Sequence, residues 1–141
     1  MNLLKIINFF KRKPKLSGKI SIIELSKLLR NNFPNTKIIL SDNNYDLCSL
    51  EEAKYFLGKD ITNFEKYEKE SYDCDDFSRV LWFYWKDWQE TLAMGIAWSN
   101  VHAFNILIDD QKRIWIIEPQ DDKIFPLENL ENKYDPNLIL I

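Results

Sequence analysis

Apolar residues recur at steps of three and four between Phe77 and Trp88. Phe77, Val80, Leu81, Tyr84, Trp85 and Trp88 form one stripe, the spacing of an amphipathic helix over Cys74–Trp88. Asp73, Asp75 and Asp76 crowd its start, where carboxylates suit the positive end of the helix dipole. Trp82 and Phe83 lie off the stripe and need a second contact face to be buried. A second helical pattern runs over 20–32 through Ile22, Ile23, Leu25, Leu28 and Leu29, with Ser21 and Glu24 spaced as a capping box. Ser49 and Glu52 repeat that spacing and predict a short helix over 49–57, stopped by Gly58. The pattern changes after residue 97. Residues 98–109 and 113–119 read as an antiparallel hairpin about a turn at Asp109-Asp110-Gln111-Lys112. Residues 37–40 and 123–126 are short strand candidates, and the apolar tail 137–141 is expected to dock. Residues 14–19 read as a breaker segment, 41–44 as a turn and 59–71 as a polar loop.

At 141 residues the chain suits a single domain, and 45% hydrophobic with 14% aromatic residues is enough to bury a core. The net charge of -3 makes no whole-chain case for nucleic acid, but the charge is unevenly placed. Residues 1–19 hold Lys5, Lys11, Arg12, Lys13, Lys15 and Lys19 and no acid. The expected organisation is therefore a basic arm over 1–19 and one domain over 20–141. The arm's apolar run is interrupted by Lys5 and Asn8, too short for a membrane span, and its charges follow the run rather than precede it as in a secretory signal. A packed helix explains it better than a membrane anchor. Two cysteines make no disulfide framework, and a cytoplasmic compartment is expected.

Cys74 opens the predicted helix, His102 is the only histidine, and Glu118 ends a predicted strand. A thiol, an imidazole and a carboxylate are the parts of an activated cysteine nucleophile, in which the base takes the thiol proton and the acid orients the base. Backbone N–H groups at a helix start favour a thiolate and can receive an oxyanion. Taken singly, such a cysteine is more often inert and such a histidine more often a hydrogen-bonded structural residue. The acids Asp73, Asp75 and Asp76 make calcium a candidate ligand, although dipole compensation, which two acids would already supply, accounts for them better. Zinc at Cys74 and His102 falls short of the usual ligand set.

The blocks Tyr72-Asp73-Cys74-Asp75-Asp76-Phe77-Ser78, His102-Ala103-Phe104-Asn105 and Ile117-Glu118-Pro119-Gln120 resemble the transglutaminase-like and papain-like cysteine peptidase superfamily. Within it they are most similar to the C-terminal protease domain of fungal agglutinins and to phage-type transglutaminase-like peptidases. The resemblance implies an α+β fold, with the nucleophile at the N-terminus of a central helix packed on an antiparallel sheet. It implies Cys74 as nucleophile, His102 as base and then acid, and Glu118 as the orienting residue. Gln120 and Asn105 are supporting candidates, Gln120 for the oxyanion because no Gln precedes the cysteine. The implied reaction is acyl transfer at an amide through a thioester, by a monomeric peptidase, amidase or transglutaminase acting on a peptide or protein. Two rivals are a peptidoglycan amidase of the NlpC type, which the Asp75-Asp76 pair fits less well, and a non-catalytic binding module on the same fold.

Overall fold

Ser21 starts the first helix as its spacing requires. Its hydroxyl accepts from the Glu24 N–H at 3.2 Å, and the Glu24 carboxylate accepts from the Ser21 N–H at 3.1 Å. Both orphan donors of the helix start are thereby satisfied, and helix α1 runs over Ile22–Asn32. Ser49 caps α2 (Leu50–Leu57) through its hydroxyl alone, which accepts from the Glu52 N–H at 3.1 Å, and Asp73 caps α3 (Cys74–Trp88) through a second capping box with Asp76. The computed structural model describes residues 12–128 and 131–141.

Eight strands complete the described chain: β1 (Leu16–Ser21), β2 (Lys37–Ile39), β3 (Asn44–Cys48), β4 (Met94–Trp98), β5 (Ala103–Ile108), β6 (Ile114–Glu118), β7 (Lys123–Pro126) and β8 (Leu138–Leu140). They form a two-stranded sheet, β1-β3, and a six-stranded sheet ordered β2-β8-β4-β5-β6-β7. All six residues of β5 are buried, because this sheet is covered on both faces. Side-chain alternation sorts the core. Phe104, Ile106 and Ile108 join Leu25 and Leu29 of α1 in one cluster. Leu107 and Ile117 join Phe56 of α2 and Leu81, Trp85 and Trp88 of α3 in another. Phe56 stacks on Trp88 with ring centroids 3.9 Å apart.

Several expectations are corrected here. The anticipated papain/transglutaminase-like α+β frame on an antiparallel sheet gives way to a frame with many strands and few helices. Eight strands stand against three α-helices among the described residues, and the larger sheet is mixed, with β2 parallel to β8. The segment read as a breaker lies mostly in β1, and the expected turn over 41–44 leads into β3, for which no strand was expected; the two pair antiparallel. Backbone hydrogen bonds hold that pair, and side-chain periodicity does not announce them. β4 was not anticipated because four of its five residues are buried, so it shows no alternation.

The boundary expected after residue 19 falls inside β1. Arg12 pairs with Glu52 at 2.9 Å, and its carbonyl accepts from Trp88 Nε1 at 2.6 Å. The rest of the expected arm, residues 1–11, lies outside the described residues. No described helix is long and apolar enough to cross a membrane. Trp82 is half-buried against the α3 core, whereas Phe83 is exposed.

Candidate functional site

His102 sits at the entry to β5, and Ser99 fixes it there. The Ser99 hydroxyl accepts from the N–H groups of Val101 at 3.2 Å and His102 at 3.0 Å, while its own N–H donates to the His102 carbonyl at 2.8 Å. Antiparallel pairing sets Asn105 opposite Ile117, which brings the end of β6 alongside the start of β5. Glu118 consequently meets the imidazole: His102 Nε2 and Glu118 Oε2 are 2.7 Å apart. The Tyr134 hydroxyl donates to the same Oε2 at 3.0 Å, and the Gln120 N–H donates to Oε1 at 3.4 Å.

His102 is held between rings. It stacks on Phe104 at 6.1 Å and meets Tyr134 edge-on at 5.5 Å. Glu118 itself is buried. Burial, followed by the charge of Glu118, keeps the Tyr134 phenol well above its usual pKa, so it remains a donor. Sequence reasoning missed Tyr134, which stands in a polar stretch with no periodicity to mark it. The pair opens into a cleft of about 500 Å³. Carboxylates (Glu118, Asp121, Glu131), lysines (Lys123, Lys133), the amide of Gln120 and the rings of His102, Phe125 and Tyr134 line it. Such a wall can offer donors, acceptors and apolar faces to one ligand.

The other expected site residues are placed differently. Cys74 is the first residue of α3, partly buried and free, and its carbonyl accepts from the Ser78 hydroxyl at 2.8 Å. It is not among the residues lining the cleft, and no hydrogen bond joins it to His102 among the described residues. Asn105 is fully buried, and its Nδ2 donates to the carbonyls of Ser78 and Gly95 at 2.9 and 3.1 Å. It fastens α3 to the sheet and does not enter the cleft. Asp73, Asp75 and Asp76 each place a carboxylate oxygen within 4.8 Å of the others. Arg79 bridges two of them, reaching Asp75 at 2.8 Å and also pairing with Asp76. That guanidinium holds the Asp76 carboxyl low, whereas the hydrogen bond with Asp73 raises that of Asp75. Cys48 is buried, and desolvation followed by nearby Glu52 pushes its thiol up to about 12.

No family model matches the chain, and no curated protein matches it. Solved structures do. The PSL1a-E64 complex shares the fold at a TM-score of 0.73 and 19% identity, over 87% of this chain and 51% of that one. Polyporus squamosus lectin, bound to the human-type influenza-binding epitope Neu5Acα2-6Galβ1-4GlcNAc, follows at 0.65 and 17%, over 87% and 49%. The chain thus spans about half the length of the structures it matches.

These findings correct the functional expectations. Of these like-folded structures one is described as a lectin, and neither as a transglutaminase-like or papain-like peptidase. Membership of that superfamily is withdrawn, and with it the cysteine peptidase or amidase and its thioester acyl transfer. The physical reason lies in the motif itself. Three short blocks record which side chains a fold brings to one end of a sheet, and the same residues serve packing, capping and binding.

Proposed function

We propose that this protein is a binding module for glycans, and that its ligand occupies the cleft beside His102 and Glu118. One observation carries the reading: carboxylates, an amide and lysines line that cleft together with the rings of Phe125 and Tyr134. Sugars present hydroxyl groups that both donate and accept, together with C–H faces that pack on rings. Carboxylate and amide oxygens accept from the hydroxyls, lysines donate to them, and an aromatic face covers the rest. The lectin among the structures of like fold, bound to a sialylated trisaccharide, supports the same ligand class. Peptide or protein substrates, expected from the sequence blocks, are replaced by glycans in this reading.

Calorimetric titration of the full chain with sialylated and neutral trisaccharides tests it. Gln120→Ala and Lys133→Ala should each weaken binding about tenfold, equivalent to about 1.4 kcal/mol, with the melting temperature unchanged. Absence of binding across a broad glycan panel would overturn the reading, as would affinity indifferent to both substitutions. So would rapid alkylation of Cys74 near pH 6 that disappears in His102→Ala, since it would reveal a thiolate–imidazolium pair.

A further inference from the structure

A 3-10 turn, Asn132–Tyr134, stands beside the cleft. At three residues per turn, side chains three apart stand above one another. Glu131 and Tyr134 should then share one side of the turn, and Asn132 and Asp135 another. The structure divides them in this way. Glu131 and Tyr134 line the cleft, whereas Asn132 and Asp135 line a second hollow of about 350 Å³. Asn32 and Phe33 at the end of α1, and Leu127 just after β7, complete that hollow. Glu131 lines both, so the two hollows adjoin across one side chain.

The turn between them is fastened from within. The Tyr134 N–H donates to the Glu131 carbonyl at 2.9 Å, and the Asp135 N–H to the Asn132 carbonyl at 3.1 Å. The Tyr134 ring is buried against Phe104 and Phe125, and its hydroxyl is held by Glu118. A wall already fixed costs a ligand little ordering entropy. Its size falls within the usual range of small-molecule pockets. The second hollow offers two amides and two carboxylates beside two apolar side chains. Asn32 Nδ2 donates to the Leu28 carbonyl at 2.8 Å, which leaves its Oδ1 to accept from a ligand. The carboxylates of Glu131 and Asp135 accept from sugar hydroxyls, and the Asn132 amide both accepts and donates. Phe33 and Leu127 supply contact for a C–H face. No lysine or arginine lines this hollow, so an acidic sugar would meet two carboxylates and no counter-charge. Resting on the glycan reading above, we propose that the second hollow is a further saccharide subsite that takes an uncharged sugar, and that the ligand is an oligosaccharide lying across Glu131.

Calorimetry on the full chain tests this with three probes: Galβ1-4GlcNAc, the tetrasaccharide that repeats it, and Neu5Acα2-6Galβ1-4GlcNAc. The tetrasaccharide should bind about tenfold more tightly than the disaccharide. Asn132→Ala and Asp135→Asn should each remove that gain and leave the affinity for the disaccharide unchanged. Both side chains are exposed, so the melting temperature should not move. A gain of about twofold or less, which repetition of the disaccharide gives by number alone, would overturn the subsite. So would a larger gain that survives both substitutions. In either case a disaccharide still weakened by Gln120→Ala leaves the glycan reading standing. A gain for the sialylated trisaccharide that Asn132→Ala removes would overturn the assignment to an uncharged sugar. Absence of binding by all three probes would overturn the subsite outright, and the broad glycan panel then decides the parent reading separately.

Discussion

Glu118 shows how much one side chain organises. It is buried, its Oε2 is shared by the imidazole of His102 and the hydroxyl of Tyr134, and its Oε1 takes a backbone N–H. A carboxylate so enclosed is tolerable only because its acceptor sites are filled. Tyr134→Phe removes one donor and leaves the ring packing against Phe104 and Phe125. It should cost roughly 1.5–3 kcal/mol in urea denaturation, the range for a hydrogen bond to a charged group. If the cleft binds glycans, the same variant should also loosen the imidazole's orientation and weaken binding. His102 and Glu118 were both legible as candidates, by rarity and by position at strand ends. Tyr134 was not, because its partner is sixteen residues away and no local pattern points to it.

At the scale of elements, short-range chemistry carried most of the information. The bounds of α3 follow from its apolar stripe and its acidic start, and those of α1 from its capping box. The β5–β6 hairpin is closed by Asp109, which is fully buried and accepts from the N–H groups of Gln111 and Arg113, from Arg113 Nε and from Trp115 Nε1, all at 2.8–2.9 Å. Burial opposes its charge, but the hydrogen bonds from the Arg113 backbone and from the Trp115 and Arg113 side chains outweigh it and hold its carboxyl below the usual value. Asp109→Asn should therefore destabilise by about 3 kcal/mol at neutral pH. The sign with pH follows from a depressed carboxyl. Its contribution is complete above the unfolded value of about 3.9 and disappears as pH falls through the lower folded value. Denaturation of wild type and variant from pH 7 to pH 2 should show a constant gap that closes only below about pH 4.

For the whole molecule, the decisive contact is between β4 and the C-terminal strand. Gly95 faces the backbone of Leu140, and a Cβ there would collide with the Leu140 carbonyl oxygen and come within 2.7 Å of Ile141 Cγ1. β8 lies between β4 and β2, so it joins the β2 edge to the rest of the sheet. Gly95→Ala should cost roughly 3 kcal/mol or more through overpacking. Hydrogen exchange at Leu138–Leu140 should accelerate well beyond that at Ala103–Ile108, because the tail is displaced before the centre of the sheet opens. An equal acceleration in both strands would mean that the tail and the centre open as one unit.

The sequence by itself determined the helices, the capping-box serine that starts α1 and the β5–β6 hairpin. Each depends on residues within a few positions of one another, where periodicity, dipole and capping act directly. Tertiary structure alone decided the pairing of β1 with β3, the parallel alignment of β2 with β8, and the burial of β4 on both faces. Those outcomes rest on backbone hydrogen bonds between distant segments, which leave no side-chain period to read. It also decided what the three blocks hold together. It brought His102 and Tyr134 to one oxygen of Glu118 and spent Asn105 on fastening a helix.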